Sequence, residues 1–307
     1  ELKIALQSNF EKINLLTRRF YGISDESYRI LTEGLVGADE LIRTETSPHN
    51  CAEGLISWSV GICYGRWDVN AVDKGTRLQG LYDELTGISP GMVQKAIKPI
   101  PDTPLQESYG ILVDDLSLNG NQPHRNDIVR RVREVLDFLW KEKAHEIEQE
   151  ACDILGVSDL RDYFRKPAKF FQDHLKRYSK SRRKAPIYWP LSTASGSYTI
   201  WIYYHRLSDQ TLYTAVNKYV EPKISEVERA LGHVEDDLKA ASGGEATRLR
   251  DRLNETQTFL GELRELREEL LRIAALPYKP DLNDGVIINA APLNSLFSLR
   301  SWANDTK

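Results

Sequence analysis

From Lys223 onward, apolar residues recur at alternating threes and fours: Ile224, Val227, Leu231, Val234 and Leu238. After the interruption ASGGEA the seam resumes with Leu249, Leu253, Thr256, Leu260, Leu263, Leu270 and Ile273. A stripe of this period is helical and needs a partner to cover it. The Gly243-Gly244 break lets the second stretch fold back on the first, so the pattern predicts an antiparallel helical hairpin of coiled-coil type over 223–276. So long a helical stretch makes a sheet-dominated fold untenable.

Upstream, Leu2, Leu6, Phe10, Ile13, Leu16 and Phe20 predict an opening helix, and Ser24 can cap a second one over Ser27–Leu35. Residues 48–66, apolar with Gly54, Ser57 and Gly61 at close-packing spacings, read as a buried helix, and the Gly- and Pro-rich stretch 70–110 as an irregular insertion. GILVDD at 110–115 predicts a buried strand. Asn126 or Asp127 can cap one long helix from Ile128 to Leu155, stopped at Gly156, with two short helices following on either side of Pro167. Ile187–Leu191 and Tyr198–Tyr204 flank the turn formers STASGS and predict a β-hairpin. DGVIINAAP at 284–292 predicts a last strand before a short helical tail. The expected class is mainly α with small β elements (α+β). Its expected parts are a helical domain over 1–160, a basic and aromatic β-hairpin region over 161–222, the helical hairpin, and a strand and tail over 277–307.

A net charge of −4 in 307 residues excludes a chain that binds polyanions with its whole surface; any such contact must be a local patch. Cys51, Cys63 and Cys152 form no C-x-x-C, which fits neither a disulfide framework nor a zinc ribbon and points to a reducing, cytoplasmic setting. No apolar run is long enough to span a bilayer. Because the sequence starts at Glu1 and ends in SWANDTK, it reads as a piece of a longer protein.

One local patch stands out. Arg165, Lys166, Lys169, Lys176, Arg177, Lys180, Arg182, Arg183 and Lys184 crowd into 20 residues with a single acid, Asp173. Charge alone is equally compatible with a solvated face. The neighbours favour nucleic acid: Tyr188, Trp189, Tyr198, Trp201, Tyr203 and Tyr204 follow directly, with His205 and Arg206 extending the strip. Cations bordered by aromatic faces hold a phosphate backbone and stack on bases. Strand alternation implies that one of the two aromatic sets, Trp201 with Tyr203 or Tyr198 with Tyr204, belongs to the core. Ser195 and Ser197 in the STASGS loop can donate to phosphates or serve the turn itself, the second being the ordinary use.

Other constellations are weaker. Asp114 and Asp115 end an apolar strand, where carboxylates can bind metal or act as acids, but a charged strand end in water is the simpler reading. His145 and Glu148 lie one helical turn apart without a further ligand pattern. There is no Gly-rich phosphate loop, H-E-x-x-H or G-x-S-x-G, and no catalytic, cofactor or metal site is expected.

IYWPLSTASGSYTIWIYYHR resembles the C-terminal regions of large adenine-specific DNA methyltransferases, of the PglX type from BREX phage-defence systems and their single-chain restriction-modification relatives. LISWSVGICYGRWDVN, GILVDD, EQEACDILGVSDLRDYF, FFQDHLKRYSKSRRKAPIYWPL and KPDLNDGVIINAAPL match in the same order, so the resemblance covers nearly the whole chain. It implies a parent enzyme that uses S-adenosylmethionine to methylate adenine at N6. The family's Asn-Pro-Pro-Tyr and Phe-x-Gly-x-Gly type motifs do not occur here, so no catalytic residue carries over and no activity is expected of the chain alone. By resemblance it is the segment that holds duplex DNA and selects the target, beside the methyltransferase domain of the same parent chain. The alternative is a helical scaffold that docks the methyltransferase onto other defence-system subunits.

Overall fold

The structure is a computed structural model that describes residues 47–66, 110–115, 123–165, 169–180, 183–276 and 278–296, with Lys12, Leu15, Ser24 and Glu26. The helices expected before residue 36 and nearly all of the 70–110 insertion lie outside the described residues. The chain divides into two compact units, Glu1–Asn50 and Cys51–Lys307. In order, the elements are α1 (Pro48–Cys63), β1 (Ile111–Asp115), α2 (Ile128–Trp140), α3 (Ala144–Leu155), α4 (Leu160–Phe164), α5 (Lys169–Arg177), β2 (Ser179–Lys180), β3 (Arg183–Lys184), β4 (Tyr188–Ser192), β5 (Tyr198–Tyr203), α6 (Thr211–Ala215), α7 (Glu221–Ala240), α8 (Gly243–Ala275) and α9 (Val286–Ala290). The class is mainly α with a small sheet, as predicted.

At the centre is an antiparallel sheet in the order β1-β5-β4. Tyr188 pairs with Tyr203 and Ser192 with Thr199, while Ile111 pairs with Ile202 and Asp115 with Tyr198. The β4–β5 hairpin closes where Gly196 N–H donates to Thr193 O at 2.9 Å with Gly196 at φ +76, the left-handed position that a side chain would strain. The pleat then sorts the residues into two faces. One carries Leu112, Asp114, Tyr188, Thr199, Trp201 and Tyr203; it is covered by Tyr64, just past α1, whose ring stacks on Tyr188 at 5.0 Å, and by Phe164 of α4 and Phe170 of α5 against Trp201. The other carries Ile111, Val113, Asp115, Trp189, Tyr198, Ile200 and Ile202. There Tyr219, in the π-helical turn Val216–Val220, donates to Ile111 O and accepts through its carbonyl from Tyr198 Oη. Because helices cover both faces, both aromatic sets are core, not one: Trp201 and Tyr203 are at most 1% exposed and Tyr198 and Tyr204 at most 3%.

Two expectations are corrected. The single helix 128–155 is two, broken at Lys141, which sits at φ +49, and joined by a 3-10 turn over Lys141–Lys143. The break lets α3 fold back on α2 so that Arg133 reaches Glu148 at 2.7 Å, a pair that a straight helix would hold about 22 Å apart. It also brings Ala151, Cys152 and Leu155 to the core that Val132, Val135 and Leu136 already fill. The strand expected within 284–292 is helix α9. Buried Asn289 donates to Asp281 O and Gly285 O and accepts from Asp281 N–H, a local set of bonds that curls the segment against its β-branched composition.

The caps match their signals: Asp127 accepts from Arg130 N–H at the start of α2, and Gly156 ends α3 in the left-handed conformation. The hairpin is present too. Arg264 on α8 reaches Glu228 on α7 at 2.7 Å, and Leu260, Leu263, Leu266, Leu270 and Ile273 root α8 in the core.

His174 on α5 ties this helix to the sheet. Its Nε2 accepts the N–H groups of Ile187 and Tyr188 at 2.9 and 3.1 Å, which keeps the ring neutral. Burial, with the Arg66 and Arg177 charges, pushes its pKa down to about 3 from 6.5. The unfolded chain therefore takes up a proton that the folded chain refuses, and stability is lost as the pH falls from 6.5 toward 3. Urea midpoints measured between pH 7 and pH 4 should fall more steeply for the wild type than for His174→Gln, which keeps an acceptor but does not titrate. Equal slopes would contradict this role.

Candidate nucleic-acid interface

The basic strip runs from the end of α4 through α5 into a short ribbon, β2 paired with β3, and then into β4. α5 ends at Arg177, Tyr178 accepts from Ala185 N–H, and Ser179 and Lys180 pair with Lys184 and Arg183. The ribbon segment reads SKSRRK, four cations without an acid in sequence, of which Ser179–Lys180 and Arg183–Lys184 form the paired strands; Lys166 and Arg182 fall outside the described residues.

The remaining cations of the strip have work inside the fold. Arg165 pairs with Asp114 at 3.4 Å, Lys169 caps the end of α3 through Gly156 O at 2.8 Å, and Arg177 pairs bidentately with Glu53 of α1. Lys176 pairs with Asp173, but at 77% side-chain exposure this bond is too weak to withhold it from a stronger anion. Lys184 is half-buried. Tyr188 and Trp189 offer no open face: Trp189 donates its indole N–H to Pro186 O, and Tyr188 Oη accepts from Arg66 at 2.8 Å. A cation outside the strip, Arg66, meets the Tyr188 and Tyr203 rings, its guanidinium 5.8 Å and 5.9 Å from their centroids. At the hairpin tip, Ser195 donates its backbone N–H and hydroxyl to the Glu262 carboxylate of α8 and shares a hydrogen bond with Ser197. His205 and Arg206 sit half-exposed past the end of β5.

The expectation that Asp114 and Asp115 end the strand in water is overturned. Both are buried, and adjacent residues of a strand face opposite ways. Asp114 meets Arg161 at 2.6 Å and Arg165, while Asp115 meets Lys223 of α7 at 2.7 Å. Arg161 also clamps Asp127, Nη1 to Oδ2 and Nη2 to Oδ1, both at 2.9 Å, and donates to Asp115 O. Burial raises the Asp114 pKa, with Arg165 and Arg161 pulling it back. Neither Arg161 nor Lys223 has a sequence spacing that announces these contacts. Among the described residues no cluster of His, Cys, Asp and Glu is placed to hold a metal, and no helix is long and apolar enough to cross a membrane. His145 lies exposed on α3, and Glu148 is occupied by Arg133. The buried thiols of Cys63 and Cys152 are pushed up to about 12 and about 11, chiefly by burial, far from a nucleophile's range.

No protein-family model matches the chain. It is 29% identical over 260 residues, 80% of its length, to the adenine-specific methyltransferase BrxX of Escherichia coli O9:H4 (strain HS). Over 303 residues, 93% of its length, it is 25% identical to the adenine-specific methyltransferase PglX of Lacticaseibacillus casei (strain Zhang). Its relatives are adenine-specific methyltransferases. The chain spans about a fifth of the length of these curated relatives, 20% and 22%. The names agree with the family resemblance carried by its aromatic hairpin and flanking stretches.

The Asp115–Lys223 pair gives a stability test. Removing one partner strands a buried charge, so Lys223→Met should cost about 3–5 kcal/mol. Adding Asp115→Asn should recover part of that loss. Urea unfolding of both singles and the double checks it; additive losses would show that the two side chains do not act together.

Proposed function

We propose that this chain is the DNA-holding and target-recognition portion of an S-adenosylmethionine-dependent N6-adenine DNA methyltransferase, from a BREX phage-defence or restriction-modification system. The observation that carries this reading is the β2–β3 ribbon. It concentrates Lys180, Arg182, Arg183 and Lys184 with no acid in the same segment, and a two-stranded ribbon is narrow enough for the major groove. The relatives' names supply the reaction. An enzyme that acts on a base within a duplex must take it out of the stack, and something must hold the flanking phosphates meanwhile. The ribbon's cations, with Lys176 beside them, suit that grip; the buried rings of Tyr188 and Trp189 act as the stiff platform beneath it. The catalytic and cofactor-binding parts belong to the methyltransferase domain of the parent chain, in a cytoplasmic protein.

A second reading has support of its own. The outer half of the α7–α8 hairpin, beyond Val234 and before Thr256, buries little besides Ala246 and carries charges of both signs. Such an arm suits a protein partner better than DNA, and would dock other defence-system subunits.

Duplex binding tests the first reading. The chain should bind a mixed-sequence duplex with steep salt dependence, and Arg182→Gln with Arg183→Gln should make the log–log salt slope shallower by about 2. Fluorescence anisotropy at several salt concentrations measures this. Binding insensitive to both salt and the substitutions would exclude the ribbon as the grip.

A further inference from the structure

The strand register gives the central sheet two different ends. Asp115, Ser192 and Tyr198 lie at one end, where the carboxylates of Asp114, Asp115 and Asp127 are paired with Arg161, Arg165 and Lys223. Gly110, Tyr188 and Tyr203 lie at the other, where Tyr203 N–H donates to Gly110 O. Around this second end stand Arg66, His205 and Arg206, and β3 runs into it through Ala185 and Pro186.

Three features stand out there among the described residues. Among the described residues Tyr203 Oη is fully buried with no hydrogen bond of ordinary geometry, Arg66 being the one group that approaches it, although a buried hydroxyl is normally paired. Arg206 is half-buried and forms no ion pair among the described residues; its stem is fixed against Gly110, where an added Cβ would come within 2.8 Å of Arg206 Cβ. His205 stands edge-on to Tyr203 at 5.5 Å, half-buried. Burial raises the Tyr203 pKa while Arg66, whose guanidinium lies 5.9 Å from that ring, and Arg206 draw it back. Burial and Arg66 lower the His205 pKa. A site with two guanidinium groups, a waiting hydroxyl and an imidazole that an anion would help to protonate is matched to a tetrahedral oxyanion.

We propose that Arg206, Arg66 and His205, grouped about the Tyr203 hydroxyl at the cationic end of the sheet, seat one phosphodiester of the nucleic-acid backbone. The proposal rests on the DNA-holding reading and adds to the ribbon a fixed contact built on the core. Arg206 holds the non-bridging oxygens, Arg66, whose Nη1 already donates to the Tyr178 and Tyr188 hydroxyls, adds its charge, Tyr203 Oη donates its proton, and His205 adds a second donor once the anion is bound.

Anisotropy of a labelled 20-base-pair duplex, together with NMR titration of the His205 ring, tests it. Arg206→Gln should weaken the duplex about fivefold or more and make the salt slope shallower by about 1. Tyr203→Phe, which keeps the buried ring, should weaken it severalfold with thermal unfolding unchanged. Duplex should also raise the His205 pKa. Wild-type affinity and slope in both variants, with His205 titrating as in the free chain, would overturn the seat while leaving the ribbon's grip intact. Should the wild type bind no duplex at low salt, the DNA-holding reading falls, and inorganic phosphate then decides: a raised His205 pKa lost in Arg206→Gln retains an oxyanion seat, and no change removes it.

Discussion

Consecutive aspartates at the end of a fully buried strand cannot share one solution, because the pleat turns Asp114 and Asp115 to opposite sides of the sheet. Each needs its own cation, and each cation arrives on a different helical layer: Arg161 and Arg165 from α4 and its end, Lys223 from the first turn of α7. An unpaired carboxylate in either place would be costly. The layers are therefore fixed to the strand and, through Asp127 and Arg161, to each other and to the start of α2. Where the basic strip begins and where the helical hairpin leaves the core are both set by neighbouring residues of β1.

The same accounting divides the strip's cations. Those on the helices, Arg165, Lys169 and Arg177, face Asp114, a helix end and Glu53, and serve the fold. Beyond α5 the chain enters a ribbon with no acid in its own sequence, and the aromatic strands that follow turn inward from it. Among the described residues, the guanidinium over the Tyr188 and Tyr203 rings comes from Arg66, more than a hundred residues earlier.

Much of this was legible in the sequence because it is local. The β4–β5 hairpin follows from two β-branched and aromatic runs around STASGS, the α7–α8 hairpin from its seam and glycine break, and the α2 and α3 ends from Asp127 and Gly156. What stayed hidden depends on distant partners. Lys141 is an ordinary helix residue between ordinary helix residues, and only the requirement that α3 return to α2 breaks the helix there. Val286–Ile288 reads as a strand until Asn289 is seen to bond back to Asp281 and Gly285. The fate of Asp114 and Asp115 turns on Arg161 and Lys223, whose spacings carry no signal, and that of Ser195 on Glu262. The cations of the candidate site could be named from sequence, but which of them the fold consumes could not.

Helix α8 has 33 residues and is about 50 Å long. Its later turns are embedded among core side chains while its earlier ones accompany only α7, so the pair behaves as a lever with its fulcrum where Lys223 meets Asp115. The tip lies about 26 Å from that point along α7, so a tilt of about 5° there carries it through about 2 Å, given the helix rise. The strand at the base of the arm is also the one that holds the start of the basic strip, since β1 meets Lys223 through Asp115 and Arg165 through Asp114.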